Sequence, residues 1–156
     1  MNKKNFNSKP KFDRSLSRLV AVQLVYRKNF DDISFIKAIN EFKNTDNHLL
    51  YDSQRKDMDL VFFESLIDHL DNSFQDIEKL ISDSLENNSI ERIELVLAAI
   101  FRLATCELLN FSEIPARVII NEYVNLAYAF FDDQQPNLAN GVIDNLAKKI
   151  RENEFS

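Results

Sequence analysis

Apolar residues recur every three or four positions along most of the chain, and this spacing predicts helices. No segment shows the two-residue alternation that is typical of a half-buried strand. The protein is therefore expected to be all-α, with about seven helices. The predicted helices cover roughly residues 14–29, 33–42, 55–71, 74–86, 90–109, 115–130 and 136–150.

Local signals indicate where these helices begin and which residues they bury. Asp13 is a plausible N-cap for the first helix, and the pair Asp31-Asp32 for the second. The periodicity places Val61 and Val118 on the inner faces of the third and sixth helices. The fifth helix is apolar on most sides, so it is predicted to lie at the centre of the molecule.

The length of 156 residues is typical of one domain. Residues 1–12 are polar and basic, which predicts a flexible arm. Residues 13–152 then form a single helical domain. Its N-terminal subdomain is expected to cover about 13–72 and its C-terminal subdomain about 73–152.

Charge is distributed unevenly along the chain, although the formal net charge is only -6. The first 28 residues contain eight basic side chains and one acidic side chain. The remaining residues contain 11 basic and 24 acidic side chains. A basic N-terminal segment on an acidic body favours an anionic partner at that end, or else a solubilising tail.

Residue composition excludes several kinds of chemistry. Gly141 is the only glycine, so no glycine-rich loop can hold a phosphate or a dinucleotide. His48 and His69 are 21 positions apart and fit no zinc or di-iron spacing, so neither a metal nor another cofactor is expected. Cys106 is predicted to be a buried thiol in a reducing cytoplasm. No catalytic residue is identified, and no segment is apolar enough to cross a membrane.

Two residues need an explanation within this helical scheme. Arg102 lies in the most apolar helix, so it is predicted to be buried and paired with Glu107 or Glu122. Gly141 lies within the last helix, where glycine costs about 1 kcal/mol relative to alanine. Close approach of a neighbouring helix is the expected reason for it.

Six segments of the chain stand in a specific order and spacing, although no single one of them is decisive. They are Arg14–Arg18, Ala21–Tyr26, Arg102–Leu108, Ile114-Pro115, Val118–Ala127 and Asn140–Asp144. Together they resemble the NusB transcription antitermination family, and the resemblance spans about residues 12–152.

The resemblance implies a fold and a set of partners. Family members are all-helical, with two packed subdomains, and are not enzymes. It implies binding to boxA-type single-stranded RNA of ribosomal RNA leader transcripts, together with NusE, a small-subunit ribosomal protein. It also implies that the complex joins RNA polymerase and suppresses premature termination.

The resemblance also implies which residues contact RNA. Arg14, Arg18 and Tyr26 match the RNA-contacting first helix of the family. Asn137 and Leu138 match positions that lie beside the RNA. In this interpretation the arginines bind phosphates or base edges, and Tyr26 stacks on a base or contacts the partner.

Two other functions remain open at this point. One is a NusB-like RNA-binding domain that serves ribosomal RNA modification. Such domains occur fused to methyltransferases, and a chain that ends at Ser156 is expected to have no room for one. The other is a helical adaptor that binds only protein.

Overall fold

The computed structural model describes residues 13–44, 58–86, 89–132 and 134–155, and these residues form seven α-helices. The predicted all-α class is therefore confirmed. The predicted arm, residues 1–12, lies outside the described residues. Two short 3₁₀ turns, Ile90–Arg92 and Glu152–Glu154, complete the described elements. The helices are α1 (Arg14–Arg27), α2 (Phe35–Asn44), α3 (Leu60–Asn72), α4 (Phe74–Ser84), α5 (Leu95–Asn110), α6 (Ala116–Phe130) and α7 (Gln134–Ile150).

Helix α5 lies at the centre of the bundle, as its sequence predicts. It packs against α1, α3, α4, α6 and α7. Most of its residues are buried, from Leu97 to Leu108. A helix that is apolar on most sides is stable only when other helices surround it, and the fold meets that condition here.

The first turns of α1 and α3 are fastened to each other. The Asp13 carboxylate accepts the backbone N–H of Leu16 at 3.1 Å, and the Asp59 carboxylate accepts that of Phe62 at 2.9 Å. The Ser17 hydroxyl donates to the backbone oxygen of Asp59 at 2.9 Å. Two capped helix N-termini are thus held side by side.

The predicted start of the second helix is wrong. Helix α2 begins at Phe35, and the Ser34 hydroxyl accepts the backbone N–H of Lys37 at 3.1 Å. Asp31, which was predicted to cap this helix together with Asp32, instead accepts a hydrogen bond from the Arg27 Nε at 2.7 Å. The cap is therefore supplied by the side chain directly before the first helical turn.

Two residues predicted to be in the core lie on the surface. Val61 is 80% exposed and Val118 is 44% exposed. The same periodicity places Phe62 and Ile119 on these inner faces, and both are buried. The buried faces of α3 and α6 are thus narrower at these points than the periodicity predicts, since neighbouring positions lie about 100° apart around a helix.

Gly141 also departs from its predicted role. It lies in the middle of α7 and is exposed. A Cβ added at this position would meet no atom within 4 Å, so no neighbouring helix approaches it. Its φ angle is not positive either. Neither the packing nor the backbone conformation of the described residues requires a glycine here.

Arg151 closes the corner between α5 and α6. Its guanidinium donates to the backbone oxygens of Leu108 at 2.6 Å, Phe111 at 2.8 Å and Ile114 at 3.0 Å. The last carbonyls of a helix have no partner within the helix and carry partial negative charge. A cation from the far end of the chain therefore satisfies the end of α5.

Glu154 supplies the complementary contact at the start of α6. Its carboxylate accepts the backbone N–H of Ala116 at 3.0 Å and the Arg151 Nη1 at 2.7 Å. The bond from Ala116, followed by the bond from Arg151, lowers the pKa of Glu154. The C-terminal turn thus places an anion at a helix N-terminus and a cation at a helix C-terminus.

Candidate nucleic-acid interface

Arg14 offers a positively charged group on the surface of α1. Its side chain is 48% exposed, and its Cζ lies 4.8 Å from the centre of the Phe62 ring. Its Nε is 3.4 Å from the Asp59 carboxylate. The guanidinium therefore rests on an aromatic face and one carboxylate, and half of its side-chain surface still faces solvent.

Arg18 is buried, and the predicted RNA contact of this residue is corrected. Its side chain is only 3% exposed. It forms two hydrogen bonds with the fully buried Glu107 carboxylate, at 2.7 and 2.8 Å, and lies 3.5 Å from Glu122. A guanidinium enclosed in this way cannot reach a phosphate. The helical strip that it shares with Arg14 is real, since both residues contact the Phe62 ring, but only Arg14 faces outward.

The Arg18 ion pair belongs to a buried polar cluster that joins α1, α5 and α6. The hydroxyl of Tyr123, also fully buried, donates a short hydrogen bond to Glu107. Burial by itself would lower the pKa of Arg18, but the hydrogen bond and the charge of Glu107 raise it overall. Burial, together with the negative charge of Glu107, raises the pKa of Tyr123. Arg18 thus stays charged and Tyr123 stays neutral.

Arg102 has a different partner from the two predicted for it. Its Nε lies 2.5 Å from the Glu78 carboxylate on α4, and its Cζ lies 5.5 Å from the Phe74 ring. Its side chain is 16% exposed, so the residue is largely but not fully buried. Glu107 and Glu122 face α1 instead, where Arg18 takes the place predicted for Arg102.

Tyr26 lies at the other end of α1 from Arg14, roughly 18 Å further along the helix axis. It is 37% exposed, and its ring packs edge-on against Phe30 at 5.2 Å. Phe30 is 64% exposed, so two aromatic side chains face solvent together. Phe30 is not among the residues predicted for the site, although its spacing of four residues from Tyr26 indicates that the two side chains can meet.

Asn137 and Leu138 lie on the first turns of α7. Asn137 is exposed, and Leu138 is 43% exposed. Glu107 of α5 contacts both Arg18 of α1 and Tyr123 of α6, so these three helices meet near the C-terminal end of α5. A short connection then joins α6 to α7.

The described surface around Arg14 is not strongly basic. Asp13 and Asp59 lie beside it, and the Ser15 hydroxyl donates one hydrogen bond shared by the two carboxylate oxygens of Glu122, at 2.8 and 2.9 Å. The other described basic residues of the N-terminal segment are Arg18, Arg27 and Lys28. The remaining four, Lys3, Lys4, Lys9 and Lys11, lie outside the described residues.

Other chemistry finds little support in the described part of the chain. It contains no group of three or more His, Cys, Asp or Glu side chains that could hold a metal ion. Burial raises the pKa of Cys106 to about 12, so this thiol is not a nucleophile at neutral pH. Within the same ranges, no helix is both long and apolar enough to span a bilayer.

These features define the class of the protein: it is an all-helical protein whose exposed arginine and aromatic side chains are suited to binding a ligand on its surface. The NusB family model matches residues 15–148. This match covers most of the chain, which belongs to the NusB family.

Similar proteins and structures agree with this assignment. Transcription antitermination protein NusB of Rhizobium rhizogenes (strain K84) is 31% identical over 141 residues, covering 88% of each chain. That of Clostridium botulinum (strain Alaska E43) is 34% identical over 137 residues, covering 88% of this chain and 99% of the relative.

The fold is also shared with solved structures. The structure of T. maritima NusB has a TM-score of 0.76 at 26% identity, covering 93% of this chain and 98% of the other. A chain from a crystal structure of antitermination factors NusB and NusE in complex with dsRNA has a TM-score of 0.66 at 21% identity. That second likeness covers 87% of this chain and 96% of the other, and it concerns the fold alone.

Proposed function

We propose that this protein is a non-catalytic transcription antitermination factor of the cytoplasm. It binds boxA-type single-stranded RNA of ribosomal RNA leader transcripts together with NusE. The complex then joins RNA polymerase and suppresses premature termination. Family membership, the names of the relatives and the fold shared with a NusB bound to NusE and RNA support this proposal.

The observation that carries the RNA-binding part is the position of Arg14. Its guanidinium is held by Phe62 and Asp59, which restrict its motion before any ligand arrives. A guanidinium is suited to a phosphate because its planar N–H groups match two phosphate oxygens. Since Asp59 contributes one contact at 3.4 Å, a phosphate can replace it without leaving a buried charge unpaired.

The other end of the surface is suited to bases. Tyr26 offers a half-exposed ring, and stacking of a base on an aromatic side chain is worth about 1–3 kcal/mol. The Asn137 amide can donate and accept hydrogen bonds at base edges, and Leu138 adds an apolar contact. A single strand that crosses from Arg14 to Tyr26 spans roughly 18 Å, the length of α1 between them.

Arg18 contributes to this surface by fixing the position of α1. Its bonds to Glu107 tie the first turns of α1 to the central helix, directly beneath Arg14. Removing it is expected to disturb the fold, so it cannot serve as a clean test of RNA contact. The surface proposed for RNA therefore consists of Arg14, Tyr26, Asn137 and Leu138.

The test compares two arginines on the same helix. Arg14 and Arg27 are almost equally exposed, at 48% and 49%, but Arg27 is paired with Asp31 and Glu41. Binding of boxA-like RNA is measured at several salt concentrations, with and without NusE. Arg14→Ala should weaken binding several-fold and reduce the magnitude of the log–log salt slope by about 0.7, the loss of one phosphate contact. Arg27→Ala should change neither quantity.

Two results would contradict the proposal. Equal affinities and slopes for wild type and Arg14→Ala in the presence of NusE would exclude Arg14 from the RNA surface. Tight NusE binding with no RNA binding at any salt concentration would instead identify the protein as an adaptor that binds only protein.

A further inference from the structure

The fold does not require a glycine at residue 141. It lies in the middle of a 17-residue helix, where glycine lowers helix stability. A Cβ at this position would meet nothing within 4 Å, and φ is not positive. The described structure thus accepts a side chain at residue 141 without any adjustment.

The neighbours of Gly141 on α7 form a continuous exposed strip. Residues three or four apart share one side of a helix. Asn137 and Leu138 therefore lie one turn before Gly141, and Asn145 lies one turn after it. All of these residues are exposed, as is Gln134 one turn earlier. The α7 strip is defined here as Gln134, Asn137, Leu138, Gly141 and Asn145.

The composition of the α7 strip favours RNA over protein. The centre of a protein interface is usually apolar or aromatic, whereas this strip has one apolar side chain, Leu138, among three amides. Amides hydrogen-bond to base edges, sugars and phosphates without requiring a charged partner. Asp144, nearby on the same helix, is paired with Lys148 at 2.8 Å.

We infer that the α7 strip is a close-contact surface for the RNA, and that Gly141 is the gap into which a sugar or phosphate of the RNA backbone fits. This inference rests on the proposed function and extends its surface by two helical turns beyond Asn137 and Leu138. A missing side chain lets the ligand approach the helix backbone more closely than any other residue would allow. The reduced helix stability is then offset when the complex forms.

The test measures both the melting temperature and the RNA affinity of variants at residue 141. A side chain at this position should raise the first and lower the second. Gly141→Ala should raise the melting temperature by about 2–4 °C, since alanine is the better helix former. The same variant should bind boxA-like single-stranded RNA, in the presence of NusE, at least threefold more weakly than wild type. Gly141→Gln should weaken RNA binding further, since its longer side chain fills more of the gap.

Asn121→Ala provides the matched control. Asn121 is exposed in the middle of α6, and alanine is also the better helix former there. This variant should raise the melting temperature and leave RNA affinity unchanged.

Three outcomes are decisive. Wild-type RNA affinity for Gly141→Ala and Gly141→Gln, with weakened binding for Arg14→Ala, would overturn this inference and leave the proposed function in place. Weaker binding of Gly141→Ala to NusE without RNA would overturn the assignment to RNA and identify the α7 strip as a surface that binds NusE. Absence of RNA binding by the wild-type complex would instead refute the proposed function itself.

Discussion

Two arginines hold the C-terminal half of α5 in different ways. Arg18 lies inside the bundle and pairs with the carboxylate of Glu107, which is fully buried. Arg151 lies at the helix end and binds backbone carbonyls, and its side chain is 11% exposed. The difference lies in what each loss would leave behind. Without Arg18 a buried carboxylate has no cation, whereas without Arg151 the groups left behind are neutral backbone carbonyls and the partly exposed Glu154 carboxylate.

The largest effect is expected at Arg18. Arg18→Met should lower the free energy of unfolding by about 3–5 kcal/mol, because the Glu107 carboxylate stays buried without a cation. Urea denaturation measures this change. The triple variant Arg18→Met/Glu107→Leu/Tyr123→Phe removes the whole polar cluster and should recover most of the loss. A triple variant as unstable as the single one would show that the stranded charge is not the cause.

A smaller loss is expected at Arg151. Arg151→Leu should cost about 2 kcal/mol, since the freed carbonyls at the end of α5 can be hydrated in part. Lys148→Ala is the control, because its exposed ion pair with Asp144 is worth about 0.5 kcal/mol or less. Equal denaturation midpoints for Arg151→Leu and Lys148→Ala would mean that Arg151 does not stabilise the corner.

Arg102 pairs with a partly exposed carboxylate and should show a modest effect. Glu78 is 26% exposed, so it remains partly hydrated after its partner is removed. Arg102→Leu should therefore lower the free energy of unfolding by only about 1 kcal/mol. A loss as large as that of Arg18→Met would show that exposure of the carboxylate does not govern the cost.

The smallest effect is a dependence on pH from Glu154. The pKa of this carboxyl is lowered in the folded state, so its contribution to stability is complete above about pH 4.5, its ordinary pKa. The contribution is lost as the pH falls through the lowered pKa. Glu154→Gln should therefore be less stable than wild type at pH 6, and the difference should shrink in acid. A difference that stays constant from pH 6 to pH 2 would contradict this assignment.

The sequence was sufficient to predict the helical class and the central helix, but not the ion-pair partners of the buried arginines. The all-helical class and the central position of α5 follow from periodicity, which is a local property. The partner of Arg102 depends on how α4 and α1 are arranged around α5, and one helix cannot reveal that. The same is true of Arg18, because its helical position is compatible with either the surface or the interior.

The candidate site was predicted only in part for a related reason. The exposed position of Arg14 follows from the amphipathic pattern of α1, but its support by Phe62 depends on contact with α3. The sequence also draws attention to Gly141, but close packing of a neighbouring helix was predicted as the reason for this glycine. Only the empty space around residue 141 shows that no neighbouring element accounts for it.

The buried state of Cys106 has a practical consequence for labelling. This residue is the only cysteine of the chain, it is fully buried, and its pKa of about 12 leaves almost no thiolate at neutral pH. Maleimide dyes and photo-crosslinkers should therefore leave it untouched in the folded protein. A cysteine introduced at the exposed Asn145 would be the single reactive thiol, so a probe can be attached at the last position of the α7 strip.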